Sequence, residues 1–308
     1  MVSENIGVEG MIHEHGTVVR VAEDDMLWGV NVFPMADQNH LLGDVDALRE
    51  YFSKNGYLFF RGFLDRDLVG GANTELATEL ENLNCLRNGT EKMELKIGSS
   101  SESALSKEGE DFRGRAVYDT GNQSESVLFQ KEMLEDTTNC RELFNCRSLF
   151  EFFNHFFGEE CVTFDYKWVR AVPSAGFTGL HFDSVYMGRG DTRIISCWIP
   201  LDDIDAEQGG LVVCNGSNHF TELIQTYGAN DSGWYSNAPI EILEKYGGRW
   251  ETTDFLRGDI VMFGMSTLHA STPNKTERYR LSCDLRFQPL SEPMDPRYKK
   301  GKRASEIL

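Results

Sequence analysis

Three residues of this sequence could together bind a metal ion: His181, Asp183 and His269. His181 and Asp183 stand two positions apart, directly after a predicted strand. Residues i and i+2 of an extended segment point to the same side, so we expect this imidazole and this carboxylate to face one point. The pair alone is weak evidence, because seven histidines in so acidic a chain yield roughly one such pair by chance.

His269 completes the set from a distant part of the chain. The run 255–263 predicts a turn and then a strand, which brings His269 to the far end of a β-core. Two imidazoles and one carboxylate from separate strands form a facial triad, which leaves positions open on a non-haem Fe(II) ion. The spacing therefore predicts an iron site.

Arg280 and Ser282 indicate a binding site for an anionic group. They follow His269 and alternate onto one face of the next predicted strand. A guanidinium forms two parallel charge-assisted hydrogen bonds with a carboxylate, and a nearby hydroxyl can add another. We therefore expect Arg280 and Ser282 to bind the carboxylate of a ligand.

The N-terminal half predicts helices that pack around this core. The apolar periodicity and the capping residues predict amphipathic helices over 44–55, 65–86 and 141–157. An aromatic strand is expected over 56–63, and residues 1–45 predict an irregular or short-stranded arm. The Ser-, Glu- and Gly-rich run 96–112 predicts a loop, which is either a lid or simply flexible.

The C-terminal half predicts an all-β core. Short strand-like runs are separated by Gly, Asp, Asn and Pro clusters, a pattern typical of a sandwich or barrel rather than of βαβ units. These runs are 161–172, 192–201, 210–214, 259–263 and 281–288. We expect a single catalytic domain with a helical part over 1–160, the β-core over 161–290 and a basic, solvated tail over 291–308.

Composition and charge exclude several classes of protein. The chain is 40% hydrophobic and 26% charged, which is an ordinary globular balance. Its formal charge of −19 disfavours nucleic-acid binding, because an acidic surface repels phosphate backbones. No apolar run is long enough for a membrane span, and the acidic, polar start of the sequence leads us to expect no secretion. The seven cysteines contain no Cys-x-x-Cys pair, so we expect reduced thiols in a cytoplasmic protein.

Matched stretches across most of residues 45–290 resemble one known family, the phytanoyl-CoA hydroxylase-like Fe(II)/2-oxoglutarate dioxygenases. Their order and spacing are more specific than any single motif. They comprise 48–63, the pair His181 and Asp183, 197–203, 207–213 with 216–219, 257–259, and 269–280.

The resemblance implies a fold, a reaction and roles for individual residues. The fold is a double-stranded β-helix, also called a jelly roll or cupin-like core, with N-terminal helices packed outside. The implied reaction couples conversion of 2-oxoglutarate and O₂ into succinate and CO₂ to oxidation of a small molecule's C–H bond. Hydroxylation, desaturation and oxidative cyclisation all remain open. The implied iron ligands are His181, Asp183 and His269, and the implied contacts of 2-oxoglutarate are Arg280, Ser271, Trp198 and Lys167.

Two alternatives remain open from the residues. The chain could be a β-sandwich binding or scaffold protein without turnover, or a cupin-type Zn(II) or Ni(II) enzyme that uses the same triad. Arg278 and Arg286 are expected to be ordinary strand arginines paired with surface acids. Candidate substrate contacts just after the iron pair are Tyr186, Met187 and Arg189. The sequence does not indicate the substrate or the oligomeric state.

Overall fold

The computed structural model describes residues 13–87, 127–129, 134, 136–227 and 236–308. The predicted loop 96–112 lies outside these residues.

Two of the predicted helices form close to their expected bounds. Helix α1 is Val45–Asn55; the side chain of Asp44 accepts a hydrogen bond from the amide of Ala47 at its start, and Gly56 ends it in the left-handed conformation. Helix α2 is Arg66–Asn82, and it ends four residues earlier than expected. Both helices bury an apolar face in the largest core cluster of the described residues.

The third predicted helix is wrong in detail, because the chain forms two helices there. Helix α3 is Thr138–Phe144 and helix α4 is Arg147–Phe157. Cys146 is extended and starts α4, while the side chain of Asn145 donates to the carbonyl of Arg141 and ends α3. The break turns the aromatic face of α4 onto the sheet.

Two sheets carry most of the remaining chain. The strands of the described residues are β1 Val18–Val21, β2 Asp24–Leu27, β3 Val32–Pro34, β4 Tyr57–Phe60, β5 Val127–Leu128, β6 Cys161–Phe164, β7 Trp168–Val172, β8 Ile195–Pro200, β9 Leu211–Asn215, β10 Arg249–Thr252, β11 Ile260–Gly264, β12 His269–Ser271, β13 Arg280–Pro289 and β14 Lys300–Arg303. The smaller sheet has the strand order β12-β9-β10-β3. The larger one comprises eight of these described strands, in the order β14-β6-β13-β8-β11-β4, with β7 paired to β13 and β5 paired to β7. A separate hairpin pairs β1 with β2.

The larger sheet is covered on both faces, which explains its continuous apolar strands. One face packs against α1, α2 and α4, where Phe153 stacks on Phe287 with ring centroids 4.4 Å apart. The other face packs against the smaller sheet, where Phe255 contacts both Phe59 and Trp198. The predicted double-stranded β-helix core with outer helices is therefore confirmed. Short helices follow within the core, α5 Ser184–Met187, α6 Thr221–Tyr227 and α7 Pro239–Tyr246.

The predicted strand 161–172 is interrupted. It forms β6 and β7, which both pair with β13 along the same edge, so residues 165–167 bulge out between them. The predicted runs at β8, β9, β11 and β13 agree with the structure to within three residues. The short-stranded arm before residue 45 is also confirmed by β1, β2 and β3.

The C-terminal tail is more ordered than its basic composition indicates. Strand β14 pairs with β6, and Tyr298 and Asp295 before it are buried. The backbone of Gly190 approaches this segment so closely that an added Cβ would lie 2.4 Å from the amide nitrogen of Asp295. The side chains of Lys299, Lys300, Lys302 and Arg303 are exposed, as expected of a basic, solvated tail, whereas the backbone pairing of β14 was not expected.

No helix in the described part of the chain is long and apolar enough to cross a membrane. All seven cysteines are free of disulfide bonds, as expected.

Candidate active site

The two histidines of the predicted triad are brought together by the main chain. His181 and His269 exchange backbone hydrogen bonds, and their ring centroids are 4.0 Å apart. Asp183 is not extended as expected. It has helical backbone angles and begins α5, and this turn directs its carboxylate towards both imidazoles. The grouping of the three residues is as predicted, although its local cause is different.

The three side chains converge on one point, and their potential ligand atoms face each other. The Nε2 atoms of His181 and His269 lie 3.7 and 3.8 Å from Oδ1 of Asp183. All three ligand atoms lie within 4.8 Å of one another, and all three residues are buried. No other group of three potential ligands was found among the residues that the structure describes.

Each imidazole is oriented by a backbone carbonyl. Nδ1 of His181 donates to the carbonyl of Gly179 at 2.9 Å, and Nδ1 of His269 donates to that of Thr267 at 3.0 Å. A carbonyl only accepts, so Nδ1 carries the proton and Nε2 keeps its lone pair for a metal. Burial lowers the pKa of both imidazoles, which favours this neutral form.

The other oxygen of Asp183 has its own partners. Nη2 of Arg286 lies 3.1 Å from Oδ2, and the hydroxyl of Ser196 donates to the same atom. Burial alone raises the pKa of Asp183, but Arg286 and the two imidazoles outweigh it and hold the pKa below its usual value. The expectation that Arg286 is a strand arginine paired with a surface acid is wrong: it is 3% exposed, and its partner Asp183 is buried in the site.

The donor set fits Fe(II). Two neutral nitrogens and one carboxylate oxygen on one side of a point are the ligands and geometry of the facial triad, with the opposite side open to other ligands. His181, Asp183 and His269 would hold the ion through Nε2, Oδ1 and Nε2.

A cavity lies beside the triad, between the two sheets. Arg280 lines it and is 3% exposed, yet it makes no hydrogen bond or ion pair within the described part of the chain. Burial and the neighbouring Arg170 lower the pKa of Arg280 to about 10, so it remains charged at neutral pH. Trp198 and Ser271 also line the cavity, and the guanidinium of Arg280 lies 6.0 Å from the Trp198 ring.

Two predicted contacts lie elsewhere. Ser282 is buried on β13 and its hydroxyl has no hydrogen-bond partner among the described residues, but it is not among the residues that line the cavity. Lys167 is not among them either, and its ammonium donates to the hydroxyl of Thr163 at 2.7 Å and to the carbonyl of Phe164. These two roles stay predictions.

Sequence reasoning missed other charged residues of the cavity. Arg170 on β7 pairs with Asp284, and Asp284 lies on β13 between Arg280 and Arg286. The alternation that picked out Arg280 and Ser282 continues to positions 284 and 286, so this signal was present in the sequence.

The three residues predicted to contact the substrate, just after His181 and Asp183, lie in different environments. The ring of Tyr186 packs edge-on against His181, with centroids 5.6 Å apart. Met187 is buried in an apolar cluster, and the amide of Arg189 donates to Asp295. Of the three candidates for substrate contact, Tyr186 places its ring against a triad residue, whereas Met187 reaches Asp183 through its backbone amide.

Comparison with known proteins agrees with this site. A sequence model of the phytanoyl-CoA dioxygenase (PhyH) family matches residues 52–282. The 1-deoxypentalenic acid 11-beta-hydroxylase of Streptomyces arenae is 27% identical over 276 residues, which cover 83% of this chain and 85% of that protein. The corresponding enzyme of Streptomyces exfoliatus is 26% identical over 275 residues, with the same coverage.

Solved structures share the fold. The epimerase SnoN in complex with Fe³⁺, alpha ketoglutarate and nogalamycin RO has a TM-score of 0.55 and 18% identity, covering 83% of this chain and 87% of that one. EctD from S. alaskensis with 2-oxoglutarate and 5-hydroxyectoine has a TM-score of 0.52 and 16% identity, covering 80% and 76%.

The fold and the triad define an Fe(II)- and 2-oxoglutarate-dependent oxygenase. The chain belongs to the phytanoyl-CoA dioxygenase family. The predicted dependence on Fe(II), 2-oxoglutarate and O₂ is confirmed at the level of this family.

Proposed function

We propose that this oxygenase hydroxylates an aliphatic C–H bond of a small organic acid from secondary metabolism. One 2-oxoglutarate and one O₂ are consumed for each product, and succinate and CO₂ are released. Hydroxylation is preferred over desaturation and cyclisation because both Streptomyces relatives are named as hydroxylases of 1-deoxypentalenic acid. An acidic substrate is proposed for the same reason, because both relatives are named for an acid.

One observation carries this proposal: the buried, unpaired guanidinium of Arg280 shares a cavity with a preformed set of iron ligands. An unpaired buried charge is costly, and a ligand carboxylate offsets that cost. Arg280 therefore binds the distal carboxylate of 2-oxoglutarate, while the keto acid end of the co-substrate faces the triad. A Zn(II) or scaffold role gives Arg280 no partner.

The chain's own residues orient the co-substrate and keep the site dry. The hydroxyl of Ser271 accepts a hydrogen bond from the amide of Thr178 at 2.8 Å, so its proton is free to donate to a bound carboxylate. Trp198 forms the apolar wall next to Arg280 and excludes water from the ion pair. Bound iron supplies the activation of O₂ that C–H oxidation requires.

We also propose that the chain is one catalytic domain in the cytoplasm. The helices of the N-terminal part and the strands of the β-core share a single apolar cluster, which supports one folding unit. Weak affinity for nucleic acids stays a prediction from the acidic composition.

An anaerobic optical titration tests the proposal. Fe(II) and then 2-oxoglutarate are added to the purified protein, and a weak, saturable visible charge-transfer band is expected. The Asp183→Ala protein serves as the control without a band. Folded protein that binds Fe(II) but gives no band with 2-oxoglutarate would contradict the proposal. Succinate release is then measured with a panel of small carboxylic acids and their methyl esters, and stimulation only by the acids is expected.

A further inference from the structure

The two oxygens of Asp183 have different surroundings. Oδ1 faces the Nε2 atoms of both histidines, at 3.7 and 3.8 Å. Oδ2 points away from them, to the guanidinium of Arg286 at 3.1 Å and to the hydroxyl of Ser196. Arg286 and Ser196 are opposite each other on β13 and β8, so the sheet register places both donors at one atom.

Arg286 is held rigidly behind Asp183. Its guanidinium lies 4.6 Å from the centre of the Trp168 ring, and Nη1 donates to the carbonyl of Leu285 at 3.4 Å. Nη1 also lies 3.9 Å from Oδ1 of Asp284. A planar guanidinium stacked on an aromatic face and buried in a sheet has few alternative rotamers, so its donors stay directed at Oδ2.

We propose that Arg286 and Ser196 are positioning residues that keep Asp183 a one-oxygen ligand of the metal. A carboxylate that is free of other partners can bind a metal through both oxygens. That mode would occupy a coordination position that 2-oxoglutarate or O₂ needs. With Oδ2 occupied by two donors, only Oδ1 is available to the ion. This inference rests on the proposed function, because it concerns the positions that the co-substrates take.

The proposal predicts opposite effects on metal and on co-substrate binding. In Arg286→Gln protein the affinity for Co(II), used as a redox-stable probe, is retained or increased, because a positive charge beside the ion is removed. The affinity of the Fe(II) protein for 2-oxoglutarate falls by about tenfold or more, because an Asp183 bound through both oxygens occupies a coordination position that the co-substrate needs. A loss of folding would instead weaken both.

The visible absorption of bound Co(II) reports the coordination change directly. We expect the Co(II) spectrum of Arg286→Gln protein to differ from that of the wild type before any 2-oxoglutarate is added. The Co(II) spectrum of Ser196→Ala protein should change in the same direction by a smaller amount. Arg286→Lys keeps the charge. Its Co(II) spectrum and its affinity for 2-oxoglutarate should therefore be closer to those of the wild type than the values of Arg286→Gln are.

Arg280→Ala is the matched control, because Arg280 lines the same cavity without contacting Asp183. It should weaken 2-oxoglutarate binding and leave the Co(II) spectrum unchanged. The inference is overturned if Arg286→Gln and Ser196→Ala both leave the Co(II) spectrum as in the wild type and change 2-oxoglutarate affinity by less than about twofold.

If Arg286→Gln protein does not fold, Ser196→Ala alone decides the question, since it removes only the hydroxyl that donates to Oδ2 of Asp183. An unchanged Co(II) spectrum in that variant then overturns the inference. Failure of the proposed function is distinguishable, because the wild-type protein itself would then give no charge-transfer band with Fe(II) and 2-oxoglutarate.

Discussion

His181 and His269 are hydrogen-bonded neighbours in the backbone, with N–O distances of 3.0 and 3.1 Å in the two directions. His269 belongs to β12 of the smaller sheet, and His181 lies in the segment that leads into α5. Because the main chain itself joins these segments, the spacing of the two imidazoles does not depend on a bound ion. The metal site is therefore already assembled in the folded chain.

Replacement of a triad histidine should weaken metal binding strongly without unfolding the protein. His269→Ala removes one of three ligands, so we expect the Fe(II) affinity to fall by roughly a hundredfold or more, equivalent to at least about 2.7 kcal/mol. Anaerobic calorimetry measures this affinity, and circular dichroism checks the fold. His155→Ala, which changes an exposed histidine of α4, should bind Fe(II) as the wild type does. Undiminished binding by His269→Ala protein would refute the ligand assignment.

Removal of the Arg280 guanidinium should affect the co-substrate and spare the metal. Arg280→Ala loses a buried charge-assisted pair, so the affinity for 2-oxoglutarate should fall by about 2 kcal/mol or more. Titration of the charge-transfer band in the Fe(II) protein gives this affinity.

Arg278→Ala is the control for this prediction. Arg278 is partly exposed and pairs with Asp202 rather than facing the cavity. Its replacement should leave the co-substrate affinity unchanged. If Arg280→Ala binds 2-oxoglutarate as tightly as the wild type, another group holds the distal carboxylate.

Asp295 should stabilise the loop that follows the triad. Its carboxylate accepts hydrogen bonds from the amide of Arg189 at 3.0 Å and from the side chain of Arg297. Asp295→Asn should therefore lower the free energy of unfolding at pH 7 by about 1–2 kcal/mol. Urea denaturation measures the change, and Asp25→Asn, at an exposed residue, is the control.

The effect of Asp295 should depend on pH. Burial alone raises its pKa, but the hydrogen bonds from Arg297 and Arg189 outweigh this and leave the pKa lower than usual. A lowered pKa contributes stability that is present above the unfolded value of about 3.9 and is lost as the pH falls through the folded value. The difference between wild type and Asp295→Asn should therefore shrink as the pH falls below 4. A difference that stays constant down to pH 2 would contradict this account.

Glu75 should stabilise α3 from the neighbouring helix. Its carboxylate accepts hydrogen bonds from the amides of Thr138, Asn139 and Cys140, at 2.9 to 3.0 Å, which are the donors left free at the start of α3. Glu75→Ala should cost about 1 kcal/mol of stability, as for loss of a helix cap. Thermal denaturation checks this against Glu50→Ala, at an exposed position of α1. Equal stability of the two variants would show that α3 does not need this cap.

The predictable part of the fold came from local patterns. The Asp44 cap and the glycine at position 56 mark both ends of α1, because each acts through its own backbone neighbours. The break between α3 and α4 was not predictable, since Arg141 to Phe157 keeps an apolar period throughout. The order of the tail was missed for a different reason: its basic side chains remain solvated while its backbone pairs with β6.

The matched stretches across residues 45–290, together with the types and spacing of His181, Asp183, His269 and Arg280, were enough to indicate the family and its chemistry, because metal ligands and an anion-binding arginine depend on chemical identity. Tertiary structure alone decided which groups Arg286 and Arg278 contact. Both are chemically identical to Arg280, and only the structure shows that Arg286 meets the buried Asp183 and Arg278 meets Asp202, while Arg280 faces the cavity. Register is a long-range property: it depends on which strands pair, and that is determined by burial across the two sheets rather than by neighbouring residues.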